Sequence, residues 1–235
     1  IERSHAPDLN TVSSWLAAHY EAAGMAEQAI HFYQSAASLA KQRFADVEAA
    51  GLMRRALRVC RDLPESARRD RREIELLVTL GPSLVFTLGY SVPEVGETYE
   101  RGLALSRRSG DGTHLFSLLS GAWLFHIVRG DLEESRNLGQ RCLDGPGSSG
   151  VPALEMAGCF LVGSSLFHLG RLHESRDHIE RSVPPYGSHA HPALALFAGP
   201  DVGGWGWAEL AQLLWQLGEI GAAETNSQEA IALAR

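Results

Sequence analysis

The sequence predicts an all-α fold in which antiparallel helix pairs stack along the chain. Apolar residues recur at three- and four-residue spacing through the 235 residues, and almost no stretch alternates apolar and polar residues as a strand would. Glycines punctuate this pattern where helices can end in a left-handed residue, at Gly24, Gly89, Gly130, Gly170 and Gly218. We therefore expect helices throughout.

The boundaries follow from this punctuation in chain order. The first, fourth, sixth, eighth and tenth helices end before the turn glycines, and Pro93 and Pro152 begin the fifth and eighth, because a first helical turn tolerates a missing N–H. The helix at 26–43 either closes the first pair or opens the next, since the register between residues 30 and 75 is not fixed. The spacing predicts helices at 11–23, 26–43, 47–62, 70–88, 93–108, 113–129, 131–143, 152–169, 171–183, 203–217 and 219–234.

Composition narrows the class of protein. A chain that is 45% apolar and 21% charged excludes collagen and low-complexity disorder. The net charge of −7 argues against a nucleic-acid-binding surface, and we expect the basic run 68–72 to be a solvated helix start of mixed charge. No apolar run approaches the roughly 18 residues of a membrane span. The three scattered cysteines predict reduced, structural thiols and a cytoplasmic location: Cys60, Cys142 and Cys159.

A short phrase recurs after four of the turn glycines. An apolar helix leads into the glycine, an acidic residue lies in the next helix's first turn or just ahead of it, and a small residue follows five positions after the glycine. The acidic group suits the helix N-terminus, and the small residue lets paired helices approach closely. These small residues are Ala29, Ser135, Ser175 and Ala223.

The pattern resembles the tetratricopeptide repeat, which implies a right-handed α-solenoid of paired antiparallel helices. The later units keep the turn glycine and the small residue but lose the aromatics, and their glycines are spaced more widely than the family period of about 34 residues. They therefore read as degenerate repeats. The first unit matches the family's positions at Leu16, Tyr20, Gly24, Ala29, Tyr33 and Ala36.

A second resemblance covers nearly the whole chain. It is to the repeat region of large bacterial signalling ATPases, where an NTPase module occurs with a class III adenylate cyclase domain or a LuxR-type DNA-binding domain. The resemblance implies a regulatory or interaction arm, and because the chain begins at Ile1 we expect 1–235 to be a single repeat domain cut from a larger protein. The segments that carry it are Thr79–Leu84, Gly89–Val95, Tyr99–Arg101, Leu124–Gly130, Ser165–Gly170 and Gly199–Gly203.

No catalytic or metal-binding constellation stands out. The string at 145–150 matches GxGxxG but follows a helical segment rather than a strand, so we expect a loop between repeats and no nucleotide site. His168, His173 and His178 are five residues apart and fall on different helix faces, while His189 and His191 lie in a Pro-rich loop without other ligands. We expect no enzymatic activity, cofactor or metal in this segment, although the parent protein would be an ATPase or a cyclase.

What remains is the inner surface of the stacked helices. Small polar residues mixed with aromatic residues suit an extended peptide or a small ligand. Aromatic residues at helical spacing are also typical of a core, and we expect Trp123, Trp205, Trp207 and Trp215 to serve mainly in packing. Laying the repeat register on the turn glycines, and adding one histidine beside this face, gives the candidate groove Ser83, Phe86, Ser120, Leu124, His126, Ile127, Phe160, Ser164, Phe167, Glu209, Gln212 and Trp215.

The sequence thus predicts a non-catalytic helical repeat module for protein–protein interaction within a bacterial signalling protein. The expected partner is a protein, a peptide or a neighbouring domain of the same chain, with self-association at an exposed terminal face and no contact with nucleic acid or membrane. The rival hypothesis is a sensor that binds a small-molecule inducer in the groove by stacking on Phe86, His126, Phe167 and Trp215.

Overall fold

The computed structural model describes residues 9–110, 112–145, 152–183 and 202–233, and within these ranges every regular element is an α-helix. The all-α solenoid class is confirmed, and each predicted helix occurs with its ends moved by a few residues. No described helix is long and apolar enough to cross a membrane. The helices are α1 Leu9–Ala22, α2 Ala26–Gln42, α3 Asp46–Arg61, α4 Ala67–Leu88, α5 Pro93–Ser109, α6 Leu115–Arg129, α7 Leu132–Leu143, α8 Pro152–His168, α9 Leu172–Ser182, α10 Val202–Gln216 and α11 Ile220–Leu233.

The chain divides into two compact units, 1–114 and 115–235. In the first unit consecutive helices pack against each other, from the pair α1 and α2 to the pair α4 and α5. In the second unit the same holds from α6 to α11, and α8 also contacts both α6 and α10. A core shared between successive helices is what stacked helical repeats produce.

One helix-ending turn recurs five times in the described residues. The N–H of a left-handed residue donates to the carbonyl three residues earlier, and the next N–H donates to the carbonyl five residues earlier. This is the hydrogen-bond pattern of a Schellman cap, which satisfies carbonyls that the helix leaves unpaired. The left-handed residues are Gly24, Phe44, Gly130, Gly170 and Gly218.

The turn at Phe44 settles the register that the sequence left open. Its φ is +58°, its side chain is 91% exposed, and it connects α2 to α3 just as Gly24 connects α1 to α2. Helix α2 therefore closes one pair and opens the next. The repeat was hidden in the sequence because a phenylalanine occupies the position where glycine is favoured.

The small residues five positions after the turn glycines are all buried where paired helices meet. Ser175 also donates a hydrogen bond of 2.8 Å from Oγ to the carbonyl of Gly163. Elsewhere glycine itself allows the approach: a Cβ on Gly139 of α7 would lie 2.9 Å from the backbone nitrogen of Val162 in α8. Close backbone packing therefore sets the positions of α7, α8 and α9.

The expectation of a solvated charged start to α4 is wrong for Arg69, Asp70 and Glu73. Asp70 and Glu73 are buried, and each binds an arginine of α5 through two hydrogen bonds. Burial acts to raise the pKa of Glu73, but hydrogen bonds from Arg101 and Arg61 outweigh it and hold that pKa below its usual range. The charges at this helix start therefore fix α4 against its neighbours, because paired carboxylates can be buried where lone ones cannot.

The three cysteines are buried and unpaired, as reduced structural thiols would be. Burial raises the pKa of Cys60 to about 11 and that of Cys142 to about 12. Because the thiolate is the reactive form, these side chains act as small apolar groups of the core.

Candidate functional site

A cavity of about 350 Å³ lies among three helices of the second unit, α6, α8 and α10. Each of these helices precedes a turn glycine, so the repeat places them in equivalent positions. Each helix contributes four residues, spaced so that they share one face: Trp123, Leu124, Ile127 and Val128 from α6, Phe160, Ser164, Phe167 and His168 from α8, and Trp205, Ala208, Glu209 and Gln212 from α10.

Three aromatic rings form one wall of the cavity. Phe160 stacks on Trp205 with ring centroids 6.0 Å apart and planes 22° apart, and the Trp123 ring is tilted by 60° against Phe160 at 6.0 Å. The indole Nε1 of Trp123 is held by the carbonyl of Leu161 at 3.0 Å and by Oγ of Ser165 at 2.9 Å. Trp123 and Phe160 are buried, whereas Trp205 is 41% exposed and faces the opening. Packing and hydrogen bonds therefore hold Trp123 and Phe160 in place, whereas Trp205 is accessible to a ligand.

Glu209 is the acidic side chain of this cavity. Burial raises its pKa to about 7, and a hydrogen bond with the Ser164 side chain opposes part of that rise. Its Oε1 is buried and has no hydrogen-bond partner. The other titratable side chain in the lining is His168, whose Nδ1 lies 2.9 Å from the carbonyl of Ser164 and so donates to it. The cavity lining thus contains a carboxyl group with one unsatisfied oxygen, together with aromatic side chains.

Most of the second-unit residues assigned to the groove line this cavity. They come from all three helices, as the register of the turn glycines required: Leu124, Ile127, Phe160, Ser164, Phe167, Glu209 and Gln212.

The other five groove candidates lie elsewhere. Ser83 is buried and Phe86 exposed on α4 in the first unit. Ser120 is buried and its Oγ donates to the carbonyl of Ser117, while His126 lies 3.2 Å from a carboxylate oxygen of Asp131. Trp215 is 64% exposed on α10, beyond the cavity. A continuous groove through both units therefore stays a prediction.

The register missed lining residues that a full helical face would have included. Val128 lies one turn after Leu124, and His168 lies one turn after Ser164. The lining residues of α10 lie further from the turn glycine than those of α6 and α8. The repeat register therefore predicted Trp215, whereas the residue of α10 that lines the cavity is Trp205. Trp123 and Trp207 are buried, as a packing role requires.

A second cavity, of about 460 Å³, lies in the first unit and is lined mainly by charged residues of α3 and α5. Each arginine of its lining already binds a carboxylate: Arg54 binds Glu94 through two hydrogen bonds of 2.7 and 2.8 Å, Arg58 binds Glu21 and Arg61 binds Glu73. Because these groups are already paired, this cavity offers a ligand fewer unsatisfied partners than the one beside Glu209.

Other candidate sites fall wholly or partly outside the described residues. These are most of the GxGxxG string, from 146 onward, and the histidines His189 and His191. Within the described ranges no three side chains of the metal-ligating types come together. His168, His173 and His178 lie on α8 and α9 on either side of the Gly170 turn.

Comparison with known proteins supports the fold. No protein-family model matches the chain. An uncharacterized protein of Rhizobium meliloti (strain 1021) is 26% identical over 224 residues, which cover 92% of this chain and 21% of that protein, so the chain spans about a fifth of its relative.

Two solved structures of MamA resemble the chain. The MamA RS-1 ArsTM double mutant has a TM-score of 0.56 at 12% identity over 88% of this chain and 94% of that one. MamA MSR-1 C2 has a TM-score of 0.47 at 17% identity over 87% and 96%. The first of these likenesses gives the chain a tetratricopeptide-like helical repeat fold.

Proposed function

We propose that residues 1–235 form one tetratricopeptide-like repeat domain that binds a protein or peptide partner and carries out no catalysis. The observation that carries this proposal is the cavity among α6, α8 and α10, whose lining combines an aromatic wall with polar side chains. Stacked helical repeats use such inner faces to bind extended chains. In the part of the chain that the structure describes, the cavity's titratable groups are Glu209 and His168.

Binding is tested by selecting peptides from a display library against the chain and measuring their affinities calorimetrically. Trp205→Ala is expected to weaken binding at least tenfold, because it removes an aromatic anchor from the cavity opening. Trp215→Ala is the matched control on the same helix, since that side chain is exposed and lies outside the cavity. Equal loss from both variants, or from neither, contradicts the proposed site.

We propose further that this domain is the regulatory arm of a larger cytoplasmic bacterial signalling ATPase, of the kind that accompanies adenylate cyclase or LuxR-type modules. Support comes from the segments quoted above and from a relative about five times as long as the matched region. A partner that binds one state of the protein better than another would bias the attached enzyme toward that state.

The regulatory role is tested in the full-length protein. Nucleotide hydrolysis is measured with and without a selected peptide, in the wild type and in the Trp205→Ala variant. The proposal predicts that the peptide changes the rate in the wild type and has little effect in the variant. An unchanged rate at saturating peptide overturns the regulatory role while leaving peptide binding intact.

The second candidate function is a small-molecule sensor. The observation that favours it is the cavity volume of about 350 Å³, which falls in the range of small-ligand sites. Metabolites that raise the melting temperature of the wild type but not of Trp205→Ala would support it. Stabilisation by peptides alone would exclude it.

We also propose that the chain contacts neither nucleic acid nor membrane and that it self-associates weakly. The net charge of −7 supports the first of these. Large apolar side chains exposed on α1, α10 and α11 support the second: Trp15, Trp215, Ile220 and Ile231. Sedimentation velocity over a hundredfold range of concentration tests it, and a constant sedimentation coefficient contradicts it.

A further inference from the structure

We propose that the cavity among α6, α8 and α10 binds an arginine side chain of the partner, with the guanidinium against Glu209 and its plane along the indole of Trp205. The proposal rests on the peptide-binding function proposed above and names the chemistry of the partner residue. It is carried by three observations: an unsatisfied carboxyl oxygen, a partly exposed indole in the same lining and a compact cavity.

The unsatisfied oxygen calls for a hydrogen-bond donor. Oε1 of Glu209 is buried without a partner, so in the free protein this oxygen has lost its water and received no hydrogen bond in exchange. A ligand that donates hydrogen bonds and carries positive charge supplies the missing hydrogen bond and compensates the lost hydration of the carboxylate. A ligand carboxylate or phosphate would instead face a buried like charge.

The aromatic wall selects the shape of the cation. Trp205 stacks on Phe160 and keeps 41% of its surface exposed. A flat guanidinium pairs with a carboxylate through two parallel hydrogen bonds while stacking on an indole, which a compact ammonium does less well. Ser164 already binds the carboxyl group and helps to fix its orientation.

The cavity lining contains no lysine or arginine that would compete with a ligand guanidinium for Glu209. Helix α6 contributes four apolar side chains, and α10 contributes Glu209 as its titratable group. Helix α8 contributes His168, whose Nδ1 is engaged with the backbone. Because burial places the pKa of Glu209 at about 7, part of the population holds a proton there at neutral pH, and a bound guanidinium would expel it.

The test compares arginine with citrulline, its neutral isostere, in otherwise identical capped peptides taken from the selection described above. We expect citrulline to lower the affinity of the wild-type chain at least tenfold. In Glu209→Gln the two peptides should bind equally. Glu224→Gln is the matched control, because it removes one acidic charge from an exposed position of α11 and should leave the discrimination intact.

Proton release gives an independent readout. Titrations at pH 7 in buffers of different ionisation enthalpy should show net proton release when an arginine peptide binds. The release should persist in His168→Gln and vanish in Glu209→Gln. Thermal melts of each variant confirm that the fold is retained, and the conservative change at 209 is not expected to lower the melting temperature.

The outcomes separate this inference from the proposed function. Peptides that bind through Trp205 with equal affinity for arginine and citrulline overturn the inference and leave the peptide-binding function standing. Binding of agmatine, a free guanidinium compound, without any binding of arginine peptides overturns the peptide source and favours the sensor. Preference for acidic peptides overturns the charge assignment.

Discussion

The buried carboxyl of Glu209 predicts that the stability of the second unit falls as the pH rises through neutrality. In the unfolded chain this group ionises near its ordinary pKa of 4.5, whereas in the folded protein it ionises near 7. Between these values the folded state keeps a proton that the unfolded state has released. The stabilisation is therefore complete below about pH 4.5 and is lost as the pH passes 7.

The magnitude follows from the separation of the two pKa values. Each unit corresponds to about 1.4 kcal/mol, so the ionised side chain costs the folded state about 3 kcal/mol at alkaline pH, of which about 2 to 3 kcal/mol develops between pH 5 and pH 8. The Glu209→Gln variant carries no such charge. It should exceed the wild type in stability at pH 8 and approach it at pH 5.

The assay is chemical denaturation followed by tryptophan fluorescence, from pH 5 to pH 8.5, on the wild type, Glu209→Gln and the control Glu224→Gln. Groups that titrate in all three proteins cancel in the differences, so the curve for Glu209→Gln isolates one carboxyl. At pH 8 its free energy of unfolding should exceed that of the wild type by about 2 to 3 kcal/mol. Parallel pH profiles for the wild type and Glu209→Gln would refute the assignment of a buried, unsatisfied carboxyl.

Three further predictions concern the scaffold and are checked by denaturation of single variants. Glu73→Ala should cost about 3 kcal/mol near neutral pH because it leaves arginines without their buried partner, whereas Glu75→Ala, which removes a partly exposed ion pair with Arg72, should cost under about 1 kcal/mol. Since the pKa of Glu73 is lowered, its contribution should disappear as the pH falls below about 4.5. Gly139→Ala should cost about 1–3 kcal/mol through its clash with α8, while Gly51→Ala, which meets open space, should gain up to about 1 kcal/mol. Phe44→Gly should stabilise by at most about 1 kcal/mol by relieving the left-handed backbone, and equal effects of Phe44→Ala and Phe44→Gly would contradict this.

Local signals sufficed for the helices. Apolar spacing and turn glycines reflect the backbone conformation of single segments, so the helix boundaries followed from them to within a few residues. Apolar spacing and turn glycines did not identify the turn at Phe44, because its left-handed conformation is imposed by the packing of α2 and α3 and not by its own preference. This turn has the same hydrogen bonds as the turns at glycine, although its left-handed residue is a phenylalanine.

Ion pairs between residues far apart in the chain could not be predicted from the sequence. Asp70 and Glu73 lie in a strongly charged run that is typical of solvent-exposed helices, and their burial depends on arginines of α5 far along the chain. The candidate cavity was anticipated in part because equivalent helices of a repeat present equivalent faces. Trp205 was not assigned to it, since the contribution of α10 is displaced along its axis relative to α6 and α8.

The most direct test of the central claim, that a partner binds in the cavity among α6, α8 and α10, uses the five tryptophans as reporters. In a ¹⁵N–¹H spectrum each indole N–H gives a separate signal, assigned by single Trp→Phe variants. Addition of a selected peptide should shift the signals of Trp205 and Trp123 and leave those of Trp15 and Trp215 in place. Shifts confined to Trp15 or Trp215 would contradict the claim and place the partner on another surface.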